Sequence, residues 1–146
     1  MRFLLDTNII VDVISRRPGH KDSLEVLKCC ELHHAEGFVS ATTVTDVAYI
    51  LRQHLAPEGT REALRTLLAI VEVAEVLKSD ILSALASGMK DFEDAVQASC
   101  ACRQGMDGLV TRNFKDFKDS AVPTLLPAEA LAKIRDSRLN KNCSSK

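Results

Sequence analysis

Four short stretches of this 146-residue chain place polar and acidic side chains where chemistry could be done: Asp6-Thr7-Asn8, Thr43-Val44-Thr45-Asp46, Asp91-Phe92-Glu93-Asp94, and Thr111-Arg112-Asn113 with Asp116. The first follows the apolar run Phe3-Leu4-Leu5 and the last follows Leu109-Val110, so both stand where a short buried strand would end. Asp91 and Asp94, three apart, share one helix face. Carboxylates gathered from such distant segments repel one another, and each buried one without compensation costs several kcal/mol or takes up a proton. A divalent cation is the simplest compensator. Carboxylates, an amide oxygen and water, with no His or Cys beside them, favour the hard ions Mg²⁺ or Mn²⁺ over zinc. Held in an open cleft, such an ion serves phosphoryl chemistry: it polarises a phosphate and lowers the pKa of the attacking water.

Each of these residues also has a purely structural role open to it. Asp6 is a good helix cap or Asx-turn residue. Thr43 to Asp46 fits a capping box with Asp in the usual Glu place, and Asp91 with Asp94 at N3 fits another. Asn113 and Asp116 suit a turn. The roles are compatible, since a cap sets a carboxylate at a helix N-terminus facing the strand ends, and it is their joint placement that favours a site. Elsewhere, His33-His34 reads as a solvated helix end before a Gly37 turn, and His20 and His54 are isolated. Ser40 and Ser99 lack the glycines of a nucleophile elbow. Arg16, Arg17, Arg112, Lys115 and Lys118 fall in loops that would rim the same end of a sheet, as solvated charges or as contacts for phosphates.

The elements that must position these groups alternate. Strands are expected at Phe3 to Leu5, Phe38 to Ser40, Val73 to Leu77, Leu109 to Thr111 and Thr124 to Leu126. Helices are expected from Ile9 to Ile14, from Leu24 to Leu32, from Thr43 to Leu55, from Pro57 to Ile70 with Leu64, Leu67 and Leu68 inward, from Ser79-Asp80 to Gly88, from Asp91 to Arg103, and from Pro127 to about Arg135. Short apolar strands separated by helices predict an α/β fold whose parallel sheet is covered on both faces. In such sheets the site lies beyond the carboxyl ends of the strands.

Composition bounds the rest. The length suits one domain, and 46% hydrophobic residues suffice for one core. Nineteen Lys and Arg against twenty Asp and Glu give a net charge of -1, so nucleic acid would not be held by bulk positive charge. With 4% aromatics and no Trp, a base-stacking surface is poorly supplied. The five cysteines are odd in number and lack the spacing of a redox or zinc motif, which predicts reduced thiols in a cytoplasmic protein, with Cys29 and Cys100 in the core. No apolar run reaches the roughly 20 residues of a membrane span, and Asp6 interrupts the N-terminus too early for a signal peptide.

Leu4 to Val13, Val39 to Asp46, Asp91 to Gln97 and Leu109 to Phe117 resemble, in order and spacing, the PIN-domain family, over nearly the whole chain from Met1 to about Ile134. The resemblance implies a three-layer α/β/α sandwich over residues 1–135, with a central parallel sheet of about five short strands; the polar composition of 136–146 predicts a frayed tail. It implies an acidic pocket for Mg²⁺ or Mn²⁺ and a metal-dependent endoribonuclease that cleaves single-stranded RNA, as in the toxins of type II toxin-antitoxin pairs. Position by position, Asp6 matches the first acid, Asp46 stands where Glu is usual, Asp94 matches the third, and Asn113 or Asp116 falls at the fourth. Asp91 is an extra candidate ligand; Asn8, Thr7, Thr43 and Thr111 are supporting residues; Arg16, Arg17, Arg112 and Lys115 are candidates for the RNA backbone. An antitoxin and a homodimer partner, the latter through helix 57–70, are the expected protein contacts. The rival readings are a PIN-like module that binds RNA or protein without chemistry, and a phosphatase with a strand-end Asp nucleophile, whose required second Asp is here Asn8.

Overall fold

The structure is a computed structural model that describes residues 1–143, the side chains of 141–143 excepted. Five strands, β1 (Arg2–Leu5), β2 (Glu36–Ser40), β3 (Glu72–Ala74), β4 (Gly108–Val110) and β5 (Thr124–Leu125), form one sheet in the order β3-β2-β1-β4-β5. Every neighbouring pair is parallel. The connections carry α1 (Thr7–Ile14) and α2 (His20–Glu31) between β1 and β2, and α3 (Ala41–Leu51) and α4 (Pro57–Leu68) between β2 and β3. Next come α5 (Lys78–Ala86) and α6 (Phe92–Arg103) before β4, and α7 (Pro127–Cys143) closes the described chain. This is the expected three-layer α/β/α arrangement.

The strands are apolar without alternation because both of their faces are covered. Phe3, Leu4 and Leu5 are all 0% exposed, which a one-sided sheet could not achieve. Phe3 and Leu5 pack with Ile9, Val26, Val47 and Ile134 from α1, α2, α3 and α7, whereas Leu4 packs with Ala98, Cys100, Ala101 and Phe117 on the α6 side. Each such side chain stabilises the fold by about 1.5–3 kcal/mol relative to exposure. The direction in which strands are added reverses about β1: β2 and β3 build outward on one side of it, β4 and β5 on the other. The loops leaving β1 and β4 therefore part in opposite directions and leave a crevice at their carboxyl ends.

Several boundaries differ from the sequence reading, each for a local reason. The first residue of the third helix is Ala41 and its cap is Ser40, whose Oγ accepts from the Thr43 N–H at 3.1 Å; Thr43 is inside the helix and is not its cap. That helix ends at Leu51, four residues before Leu55. In α4 only Leu67 of the three expected inward leucines is fully buried, and Leu68 is 43% exposed. Leu77 is the N-cap of α5 rather than Ser79, and Asp80 at N3 reaches back to accept its N–H at 2.8 Å. Gly37 lies within β2, not in a turn. Cys30 rather than Cys29 is the buried member of its pair, Cys100 is buried as expected, and Cys29, Cys30, Cys100 and Cys102 are all free thiols. The last helix continues past Arg135 to Cys143; the remainder of the expected tail, 144–146, lies outside the described residues. Among the described residues no helix is long and apolar enough to cross a membrane.

Gly37 shows how tightly α2 sits on the sheet. A Cβ there would stand 2.7 Å from the Cys30 Sγ and 3.1 Å from Val71 Cγ1. Gly37→Ala is therefore expected to cost about 1–3 kcal/mol in urea unfolding through overpacking. The loss should shrink in a Cys30→Ala background, since neighbours in contact do not add; equal losses in both backgrounds would refute that packing.

Candidate active site

The site is built at the crevice beside β1. Asp6 follows the last residue of that strand and occupies the N-cap position of α1, yet its side chain makes no cap hydrogen bond. Its carboxylate, 1% exposed, is turned into the crevice. There Thr111 Oγ1 donates to Oδ2 at 2.7 Å, Asn8 Nδ2 to the same oxygen at 3.2 Å, and Gln97 Nε2 to Oδ1 at 3.3 Å. All three donors are neutral. They fix the carboxylate's orientation and leave its charge uncompensated.

Asp94 comes from the first turn of α6, which Asp91 caps by accepting the N–H groups of Glu93 and Asp94 on Oδ1. Its carboxyl is pushed up to about 7 by burial and then by the negative fields of Asp6, Asp91 and Asp116. Beside it, Glu93 is also pushed up to about 7, by burial first and then by a carboxyl–carboxylate hydrogen bond with Asp46 and the charge of Asp46. Thr7 Oγ1 donates to Glu93 Oε1 at 3.3 Å. The Thr7 hydroxyl is 3.1 Å from that of Thr43, which is 3.0 Å from the Ser40 hydroxyl. A chain of hydroxyls thus runs from the cap of α3 to the acids.

The sequence-derived residues divide accordingly. Asp6, Asp91, Asp94 and Asp116 form one electrostatically coupled group, while Asp46 joins through Glu93. Asn113 Nδ2 donates to Asp116 Oδ2, and the Asn113 N–H to Thr111 Oγ1 at 3.0 Å. Asn113 therefore orients the Asp116 carboxylate. Asp91 has one oxygen committed to its cap. Arg112 is tied to Asp12 at 2.8 Å, whereas Arg16 and Lys115 are exposed. Three residues escaped assignment from sequence. Glu93 was hidden beside the more suggestive Asp94. Gln97 is a fully buried amide among Ala95, Val96 and Ala98, and Asp12 is a buried acid inside an apolar helix. For both, the readable signal is a polar residue interrupting an apolar face.

Among the described residues no group of three or more His, Cys, Asp or Glu side chains already stands as a metal-holding cluster. The donor set nevertheless fits a hard cation. Asp46 Oδ2 and Gln97 Oε1 are buried oxygens without a hydrogen-bond partner, and two carboxyls are raised by burial and, after it, by neighbouring negative charge. Unpartnered oxygen and excess negative charge are what such an ion relieves.

A family model described as PIN domain matches residues 2–115. Solved structures of similar fold include VapBC2 from Rickettsia felis bound to a DNA fragment from their promoter, with 19% identity and a TM-score of 0.69 over 86% of this chain and 98% of that one. A toxin-antitoxin complex from Klebsiella pneumoniae aligns at 21% identity and a TM-score of 0.64 over 85% and 96%. FitAcB from Neisseria gonorrhoeae aligns at 18% identity and a TM-score of 0.68 over 86% and 97%. No curated protein matches the sequence.

The raised carboxyls make the metal-free protein sensitive to pH. Asp94 titrates at 3.8 when free and at about 7 when folded, so between those values the folded state binds more protons than the unfolded one. Its contribution to stability is full below the free value and is lost as pH rises through the folded value. In EDTA the melting temperature should therefore fall as pH rises across that window. Asp94→Asn should flatten this slope and raise the melting temperature at about pH 8; a variant melting lower than the parent there would contradict the charge crowding.

Proposed function

The chain belongs to the PIN-domain family, and from that premise we propose that it is a metal-dependent endoribonuclease cleaving single-stranded RNA, the toxin of a toxin-antitoxin pair. One observation carries the reading: Asp6, Asp94 and Asp116, delivered by three separate segments, share one crevice, and among the described residues the charges that act on Asp94 are all negative. A module that bound RNA or protein without chemistry would be more stable without that repulsion and would bind a polyanion better.

In this proposal Asp6, Asp94 and Asp116 hold Mg²⁺ or Mn²⁺, and Asp91 offers its uncommitted oxygen. When bound, the ion supplies Lewis-acid polarisation of the phosphate and a water of lowered pKa. The chain's own residues do the rest. Thr111, Asn8 and Gln97 hold the Asp6 carboxylate in one orientation, and Asn113 does the same for Asp116. Glu93, raised to about 7 by burial and then by the neighbouring Asp46, carries a proton near neutral pH. That value suits proton exchange with the attacking water or the leaving oxygen at neutral pH. Thr7 and Thr43 steady Glu93 from below. Arg16, Arg17, Arg112 and Lys115 hold the RNA backbone at the rim.

The antitoxin partner is proposed from the likeness to toxin-antitoxin assemblies, and a homodimer from apolar side chains left outside on the helices, such as Leu68 and Leu85. Action in the cytoplasm, with its RNA and reducing conditions, suits the free thiols. Expression of the chain alone should arrest growth, and coexpression of a small reading frame overlapping it upstream should relieve the arrest.

The direct test incubates the purified chain with labelled single-stranded RNA and Mn²⁺. Cleavage is expected, with EDTA, Asp6→Asn and Asp94→Asn each slowing it by about 100-fold or more. Cleavage that persists in EDTA and in both variants refutes the mechanism.

A further inference from the structure

Beside the acids lies an open cleft of about 530 Å³ lined by Asn8, Asp12, Arg17, Pro18, Arg112 and Asn113. Its floor is Asp12, 3% exposed, on α1 one turn after Asn8. Asp12 faces two guanidinium groups. Arg112 Nη1 donates to its Oδ2 at 2.8 Å, and Arg17 Nη1 stands 4.0 Å from Oδ1. Gly19, in the left-handed turn between α1 and α2 with φ +80°, leaves room for the Arg112 guanidinium; a Cβ there would lie 3.1 Å from Nη2. Arg112 and Arg17 stay 39% and 50% exposed.

We propose that Asp12 is a positioning residue, which holds Arg112 as a fixed clamp for a backbone phosphate of single-stranded RNA flanking the reacting one. The proposal rests on the nuclease reading above. Three features support it. First, one buried carboxylate is matched by two arginines, so the cleft carries surplus positive charge directly beside an acidic centre that repels phosphate. Second, Arg112 gives one N–H to Asp12 and keeps the rest of its planar fork for a ligand, the geometry that recognises phosphate. Third, cleft and centre are built from the same consecutive residues. Thr111 donates to Asp6, Arg112 to Asp12, and Asn113 to Asp116, while Asn8 on the cleft wall donates to Asp6. A phosphate on Arg112 is thereby held in register with the acids by a single strand end.

Removing an acid from a nucleic-acid-binding surface ordinarily strengthens binding; a positioning role predicts the reverse. Fluorescence anisotropy with a labelled single-stranded oligoribonucleotide in EDTA reads binding without cleavage. Asp12→Asn is expected to weaken binding about fivefold although the net charge becomes more positive. Arg112→Gln should weaken it about tenfold and lower the slope of log affinity against log salt by about 1. Arg112→Lys keeps the charge but loses the fork, and is expected to bind about threefold more weakly; it carries the test if Asp12→Asn fails to fold by circular dichroism. With Mn²⁺, Arg112→Lys should raise KM more than it lowers kcat. Asp12→Asn and Arg112→Lys binding RNA as tightly as the parent, with the parent cleaving RNA, would overturn the clamp and leave the nuclease reading standing. A parent chain that neither binds nor cleaves RNA would overturn the nuclease reading, and the clamp with it.

Discussion

The arrangement depends on a single buried carboxylate. Asp6 follows the central strand of the sheet, where Phe3, Leu4 and Leu5 are sealed from water on both faces, and among the described residues only neutral groups hold its side chain. Hydrogen bonds to a charged group are worth about 1.5–3 kcal/mol each. Three of them can fix a carboxylate's direction, but they do not supply a countercharge. The donors come from β4's exit, from α1 and from α6. Sheet order, the departure of α1 and the docking of α6 must therefore all be correct before Asp6 is satisfied, and the fold and the site are the same constraint seen at two scales.

The topology makes that convergence cheap. In a sheet ordered β3-β2-β1-β4-β5, the loops after β1 and β4 diverge, so residues at the two strand ends face a gap. Asp6 and Thr111 occupy those ends, and the N-terminus of α6 brings Asp91, Glu93 and Asp94 against them. The helix N-terminus offers partial positive charge to these acids, worth about 0.3–1 kcal/mol, and that is too little to offset the burial and the neighbouring negative charges that together push Asp94 to about 7. The neighbouring cleft separates charge differently. Asp12 is neutralised directly by Arg112, so the two arginines are kept a few residues away from the acids they would otherwise quench.

Much of this was legible in the sequence because buried parallel strands and helix caps leave local marks. Phe3-Leu4-Leu5 before Asp6, and Asp91 before Asp94, carry the strand end and the cap in their spacing, and both stand where that spacing puts them. What the sequence left open is what a carboxylate does when it is not capping. Asp6 occupies a cap position without capping, which only the positions of Thr111 and Gln97 decide, and those are 105 and 91 residues away. Ser40 displaced Thr43 as the cap of α3 because the turn out of β2 begins three residues earlier than the apolar period suggests. Asp12 was invisible as a functional residue because one acid in an apolar helix has no local partner; its partner, Arg112, is 100 residues away.

The division of labour among the acids follows from side-chain length. Asp46 carries one methylene fewer than a Glu would, and from the second turn of α3 its short side chain ends against Glu93. Glu93, one methylene longer and rooted on α6 beside Asp94, extends the same negative field from the opposite wall. Burial and then Asp46 beside it raise the Glu93 carboxyl, and the Thr7 hydroxyl donates to Glu93 Oε1 from α1. The crevice thus carries acids from two helices at this point, Asp46 on α3 and Glu93 on α6. Burial and the neighbouring Asp46 together hold the Glu93 carboxyl up to about 7, so it exchanges its proton near neutral pH.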